Sequence, residues 1–227
     1  MIIDRYFKIN RYNMDLKMIC NNLIIQISEI EIIIKMELID LWKLMKYASR
    51  YGHTEVVKLL LKDEKVDLSD YNNWAIKLVS ENGHVEIVKL LLKDERVDPS
   101  DDNNLSIRFA SKNGHIEVVK LLLNDERVDP GDCGNLAIRW ASLYGHIEVV
   151  KLLLMDKRVD PSDCFNLAIE YASENGHVEI VKLLLMDKRV DPGANNNYAI
   201  EYASENGHVE IVKLLLKNKR VAPKYNK

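Results

Sequence analysis

Histidine is the residue of this chain whose spacing first suggests chemistry. All six histidines recur every 31 residues, at positions 53, 84, 115, 146, 177 and 208. Clustered imidazoles can ligate a metal or transfer protons. Copies on neighbouring packed helix pairs would lie roughly 8–10 Å apart, too far to share a metal whose ligand bonds are about 2.0–2.1 Å. We therefore expect no metal site, and we expect each histidine to begin a helix and hydrogen-bond nearby backbone.

The cysteines and the potential catalytic residues follow the same period. Cys133 and Cys164 are 31 residues apart, which predicts a Cα separation beyond the limit of about 7 Å for a disulfide. Three cysteines make no disulfide framework, so a reducing compartment is favoured. Serine, histidine and aspartate recur in each unit, whereas a catalytic triad needs residues unique to one place, and no phosphate loop or cofactor motif is present. The sequence predicts a protein that is not an enzyme and has no cofactor.

A tandem array accounts for this spacing, since all five prolines also recur every 31 residues. Five full units are predicted at 67–97, 98–128, 129–159, 160–190 and 191–221, preceded by a more divergent unit at 36–66. Residues 1–35 are predicted to form a helical cap or degenerate repeat, and residues 222–227 a short tail.

Each unit is predicted to contain two helices. The first runs roughly over 105–112 and ends at a glycine such as Gly114. The asparagine before it, Asn104 in this unit, is expected to be its N-cap. The second helix runs roughly over 116–124 and pairs Glu117 with Lys120. Its other positions are largely apolar, so neighbouring units must stack to cover it.

The segments VDPSD, VDPGD and VDPGA that follow the second helix suit a type I turn. Such a turn between helix pairs is expected to project as a finger. The pattern as a whole predicts an all-α solenoid of stacked helix-turn-helix units with projecting turn fingers.

The cores ENGHVEIVKLLL, KNGHIEVVKLLL and LYGHIEVVKLLL resemble the second helix of the ankyrin-repeat family. The resemblance covers residues 36–221 and, weakly, 20–35. It implies an ankyrin-repeat solenoid whose finger tips and first helices form a concave face for binding proteins. The repeat is 31 residues long where the family has about 33, and LSIR, LAIR or LAIE replaces the family's T-P-L-H, which puts the shape of the finger in question.

The 31-residue variant with VDPS and VDPG turns, rich in Asn, Lys and Ile, resembles ankyrin families of giant DNA viruses of amoebae. That resemblance implies a viral protein in the host cell cytoplasm, with a host protein as a candidate partner.

Five positions of the unit vary between copies and are expected to face solvent. One of them changes from basic to acidic along the chain, in the order Lys77, Arg108, Arg139, Glu170 and Glu201. A partner with the opposite gradient would dock in one direction, although neutral drift would also give such variation. The predicted partner-binding residues are Tyr71, Arg108, Lys112, Cys133, Arg139, Leu143, Tyr144, Cys164 and Phe165.

Nucleic acid and membrane are not predicted partners. The rings at Phe109, Trp140, Tyr171 and Tyr202 could stack on bases, but we expect consecutive rings to lie beyond the usual spacing of about 4.5–7 Å. The net charge of -3 gives no electrostatic attraction to nucleic acid or an anionic membrane. The aliphatic runs are far shorter than the roughly 18 residues of a membrane helix.

Three functions are therefore considered. The first is an interaction module for an unknown protein. The second is an adaptor that recruits a partner to host ubiquitin machinery through residues 1–35. The third is self-association through the C-terminal repeat, because its second helix, HVEIVKLLLK, is as apolar as the internal copies.

Overall fold

The structure is a computed structural model that describes residues 40–63, 66, 68 and 70–221, with only the backbone described for residues 70–72. The predicted cap at 1–35 and tail at 222–227 lie outside the described residues. The chain divides into two compact units, the first ending at Asp98 and the second beginning at Pro99. The described residues contain helices and no strand, which confirms the predicted all-α class.

The described part of the chain contains twelve helices. The first unit holds α1 (Leu41–Tyr51), α2 (Thr54–Leu61), α3 (Asp70–Glu81) and α4 (Val85–Leu92). The second unit holds α5 (Asp101–Lys112), α6 (Ile116–Leu123), α7 (Asp132–Leu143), α8 (Ile147–Met155), α9 (Asp163–Glu174), α10 (Val178–Met186), α11 (Ala194–Glu205) and α12 (Val209–Leu216). From α2 onward, the second helix of each pair begins 31 residues after the previous one, which follows the sequence period.

The second helices supply much of the core. In α8, Val149, Val150 and Leu153 are fully buried. Burial of each such side chain contributes about 1.5–3 kcal/mol relative to exposure. The opposite face of α8 carries Glu148 and Lys151, whose charged atoms are 2.6 Å apart as the sequence predicts.

The first helices of the second unit begin with a short left-handed turn. In α5, Asp102, Asn103 and Asn104 have φ angles of 56°, 55° and 58°. Their short polar side chains tolerate this conformation better than most residues do. The right-handed helix therefore starts at Leu105, where the sequence predicts it.

The asparagine at the end of this turn is not an N-cap, so that prediction is wrong. Asn104 is buried, and its Oδ1 accepts a hydrogen bond from the backbone N–H of Asp129 at 2.7 Å. Its Nδ2 donates to Asp132 Oδ2 at 2.9 Å. Because a buried amide must be satisfied, the side chain bonds the turn of the next repeat instead of its own helix.

Glycine and histidine form a second link between repeats. Gly114 has a φ of 74°, and a Cβ added to it would lie 2.6 Å from Nδ1 of His146 in the next repeat. Nε2 of His146 hydrogen-bonds the carbonyl of Lys112 at 2.7 Å. The prediction that these histidines bond backbone is confirmed here, with the carbonyl belonging to the preceding repeat.

A repeated arginine forms a third link, which the sequence did not predict. The Arg158 guanidinium donates to the carbonyls of Val128 at 2.8 Å and Leu123 at 2.9 Å, both in the preceding repeat. It also donates to both carboxylate oxygens of Asp156, and this hydrogen bonding holds the pKa of Asp156 below its usual value. Asp156 thus orients the arginine that bridges two repeats.

Candidate interaction surface

Three predicted residues form what we call the helix-end group: Lys112, Leu143 and Tyr144. They lie at the C-terminal ends of α5 and α7. Tyr144 is 48% exposed, while Lys112 and Leu143 are half-buried. The Lys112 ammonium lies 5.7 Å from the centroid of the Tyr144 ring, so the ring has a cation over it before any partner binds.

An aromatic stack adjoins this group. The centroids of Phe109 and Trp140 are 6.3 Å apart and their planes differ by 7°. The expectation that consecutive rings lie beyond about 7 Å is therefore wrong for this pair. The separation of the helix axes does not fix the separation of the rings, because the side chains extend away from the axes. Lys112 Nζ lies 5.6 Å from the Trp140 centroid.

The predicted residues Cys133, Cys164 and Phe165 form a second set, the turn group. They lie in the left-handed turns that begin α7 and α9. Both cysteines are free thiols, with Cys133 exposed and Cys164 half-buried. About eight helical residues, or roughly 12 Å of helix, separate this end from the helix-end group. The predicted residues therefore form two groups at opposite ends of the first helices.

The variable charged position is mostly inaccessible, so the expectation that it faces solvent is wrong. Arg108 is buried and donates to the carbonyl of Asp102 in its own turn at 2.7 Å. Arg139 is half-buried and donates to the carbonyl of Gly134 at 3.2 Å. This position lies beneath the left-handed turn, where an arginine can reach the turn's carbonyl oxygens. The side chain of Tyr71 lies outside the described residues.

The last two repeats carry a tyrosine–glutamate cluster that the sequence did not predict as a site: Tyr198, Tyr202, Glu170, Glu174 and Glu201. The two rings have centroids 5.3 Å apart. Burial raises the pKa of the Tyr202 hydroxyl, and the carboxylates raise it further. Burial also raises the pKa of Glu170, as does the charge of Glu174. Negative charge is thus concentrated beside two stacked rings.

Within the described ranges, no group of three His, Cys, Asp or Glu side chains is placed to hold a metal ion. None of the helices in those ranges is long and apolar enough to cross a membrane.

Repeated helix pairs, left-handed turns and links between successive repeats define a tandem helical repeat protein. The family model for ankyrin repeats matches in three copies, at residues 17–103, 79–163 and 159–226. The chain belongs to the ankyrin-repeat family.

Solved ankyrin-repeat structures share the fold. The crystal structure of EF0377, an ankyrin repeat protein, is similar with a TM-score of 0.64 and 28% identity, covering 77% of this chain and 97% of that one. An ankyrin repeat domain from Acinetobacter baumannii AYE gives a TM-score of 0.63 at 19% identity, covering 76% of this chain and 96% of its own. No curated protein matches the chain.

Membership of this family indicates the general role of the fold. Ankyrin repeats generally serve as scaffolds for interaction between proteins, and the fold is typically non-enzymatic. Because one scaffold holds many unrelated partners, the particular surface must supply the specificity.

Proposed function

We propose that this chain is a non-enzymatic interaction module that holds a protein partner on the concave face formed by its turn fingers and first helices. The turn group and the helix-end group are the proposed contacts. Of the two predicted arginines, Arg139 contributes through its half-buried guanidinium, whereas Arg108 supports the turn from beneath.

Phe165 is the observation that carries this proposal. Its side chain is 78% exposed and its φ is 61°. The same position holds Asn103, Gly134 and Asn196 in the neighbouring repeats, and these residue types suit a left-handed backbone. A phenylalanine there costs about 1–2 kcal/mol and gains little packing within the chain. A residue that is both strained and exposed is better explained by binding than by folding.

Tyr144 supports the same proposal. Its ring is stacked near His146, with centroids 6.5 Å apart, and it lies close to the Lys112 ammonium. An exposed aromatic ring that is already held in place loses little conformational freedom on binding, so it is suited to be a hot spot. A partner that covers both groups would bury about 800 Å² on each side, the usual size of a specific interface.

The test is the double variant Tyr144→Ala/Phe165→Ala. A partner is first identified by affinity purification and mass spectrometry from cells that express the full chain. We expect the variant to lose capture of that partner while its Tm does not fall, since both side chains are exposed.

The matched control is Met155→Ala/Met186→Ala. These methionines are 81% and 80% exposed, lie at the C-terminal ends of second helices and belong to neither group. The control should capture the partner as the wild type does. Unchanged capture by the Tyr144→Ala/Phe165→Ala variant would eliminate the proposed contact surface.

Self-association is a second candidate, favoured by an exposed apolar side chain in the last described repeat. Val209 at the start of α12 is 61% exposed, whereas the equivalent Val178 and Ile147 are half-buried. A second copy of the chain stacked on this repeat would cover Val209 as an internal repeat covers its equivalents.

Two narrower proposals rest on the sequence alone. The 31-residue period and the VDPS and VDPG turns support an origin in a giant DNA virus of amoebae, with a host protein as the partner in the host cytoplasm. Recruitment of host ubiquitin machinery would then depend on residues 1–35. Co-purification of ubiquitin ligase subunits with the full chain tests this adaptor role.

A further inference from the structure

A lysine in the first unit shows how an aromatic ring of this array accepts a cation. Lys46 lies on α1, and its ammonium is 4.9 Å from the ring centroid of Trp74 on α3 and equally far from Trp42. The positive charge is attracted to the electron-rich faces of the rings. Four repeats later along the sequence, Glu170 occupies the position of Lys46 and Tyr198 occupies the position of Trp74.

The second unit repeats this substitution at another pair of positions. Lys112 on α5 places its ammonium 5.6 Å from the Trp140 centroid on α7. Two repeats later, Glu174 occupies the position of Lys112 and Tyr202 occupies the position of Trp140. At both pairs the aromatic ring is kept, while the lysine over it is replaced by a glutamate.

Two of the rings that lack such a lysine lie beside each other. Tyr198 and Tyr202 are one turn apart on α11, with ring planes that differ by 23°, and both are half-exposed. The charges of Glu170, Glu174 and Glu201 all act on Tyr202, in the direction that raises its pKa. A carboxylate beside an aromatic face is unfavourable by itself, because both are negative.

No cation of the chain neutralises these carboxylates within the part that the structure describes. Glu170 accepts a hydrogen bond from the neutral amide of Asn195 at 2.9 Å. Glu170, Glu174 and Glu201 form no ion pair with a described lysine or arginine. The arginines at the same position in earlier repeats donate to their own turns. The structure therefore leaves a negative, aromatic surface along α9 and α11, from Tyr198 at the start of the right-handed part of α11 to Glu174 at the end of α9.

We propose that the tyrosine–glutamate cluster binds an arginine or lysine side chain from a basic segment of a protein partner. The proposal rests on the proposed function and adds the chemistry of the partner. The incoming cation takes the place over the rings that Lys46 and Lys112 occupy in other repeats. It pairs with the half-exposed carboxylates of Glu174 and Glu201, while the buried Glu170 adds negative charge beneath them. Arginine fits best, because its planar guanidinium can stack on a ring while it donates to a carboxylate.

Fluorescence anisotropy with the full chain tests this proposal. The probes are labelled hexa-arginine, hexalysine and hexaglutamate peptides at physiological salt. We expect hexa-arginine to bind more tightly than hexalysine, and hexaglutamate not to bind. The variant Glu170→Gln/Glu174→Gln should weaken binding of hexa-arginine at least tenfold. Tyr202→Leu should weaken it about two- to fivefold, the contribution of a cation over an exposed ring.

Glu148→Gln/Glu179→Gln is the matched control, because it changes the net charge equally. These two glutamates lie on α8 and α10, where they are exposed and paired with lysines. Binding by the control should equal that of the wild type. Equal weakening by both double variants would overturn the proposal in favour of general attraction between charges, and absence of binding by wild type would overturn it outright.

A second variant, Glu174→Gln/Glu201→Gln, spares the buried Glu170 and changes only the two half-exposed carboxylates, so its result does not depend on any change in folding at Glu170. It should weaken binding of hexa-arginine at least fivefold, and wild-type affinity in this variant would overturn the proposal. Loss of the native partner in Tyr144→Ala/Phe165→Ala without any binding of hexa-arginine would refute only this inference. Binding of hexa-arginine with unchanged capture in that variant would refute only the contact surface proposed above.

Discussion

Replacement of Gly145 by alanine tests the link between repeats most directly. Gly145 has a φ of 79°, and a Cβ added there would lie 2.7 Å from Cε1 of His177. The His177 imidazole is held by a hydrogen bond of 3.0 Å from Nε2 to the carbonyl of Leu143. Gly145→Ala therefore imposes a left-handed alanine and also pushes the imidazole away from its partner.

The expected loss of stability is the sum of these two effects. A left-handed alanine costs about 1–2 kcal/mol. Loss of the hydrogen bond removes about another 0.5–1.5 kcal/mol. We expect Gly145→Ala to lower the free energy of unfolding by about 1.5–3.5 kcal/mol, measured by urea denaturation with far-UV circular dichroism. Hydrogen exchange of the α8 amides gives the local effect, because repeat arrays can unfold in parts.

A double-mutant cycle with His177→Ala separates the two effects. In that background the clash is absent, so Gly145→Ala should cost only the left-handed strain of about 1–2 kcal/mol. Gly207→Ala is a second control, since Gly207 has a φ of 74° and nothing within 4 Å of an added Cβ. A coupling energy below about 0.5 kcal/mol, the scatter between independent sites, would refute the proposed role of the contact.

Two further predictions concern the second unit. Burial and the charge of Glu174 raise the pKa of Glu170 above its ordinary value of 4.5. Ionisation of Glu170 therefore favours the unfolded chain. The folded protein loses this part of its stability as the pH rises through the raised pKa. Glu170→Gln should therefore stabilise the protein at neutral pH and have little effect below about pH 4, as thermal melts at both pH values would show; equal stabilisation at both would contradict this. If self-association buries the exposed Val209, Val209→Lys should convert an oligomer to a monomer in size-exclusion chromatography with light scattering; a wild-type monomer at high concentration would remove that candidate function.

Periodicity made the helices predictable before any coordinates. Each second helix needs an apolar surface on several sides, and Val149, Val150 and Leu153 are buried as that pattern requires. Gly114 ends a first helix in the left-handed conformation because glycine pays no steric penalty there. These features depend on residues close together in the sequence, so sequence patterns report them directly.

The candidate site was predictable only in part. Variation between copies identified Tyr144 and Phe165, and both are exposed. The same criterion selected Arg108, which is buried beneath its own turn. Variation between copies did not identify Tyr198 and Tyr202. A comparison of Lys46 and Trp74 with the equivalent residues of later repeats would have revealed that a glutamate replaces the lysine. Variation alone does not show whether a side chain points toward solvent or toward the next repeat.

The sequence by itself thus determined the class of fold and the repeat length, because both follow from local spacing. The tertiary structure decided which polar side chains form hydrogen bonds between repeats. Asn104, His146 and Arg158 each bond backbone about 25 to 35 residues away. Such bonds depend on how one repeat stacks on the next, and no local sequence pattern specifies that geometry. They therefore determine which charged side chains are left to contact a partner.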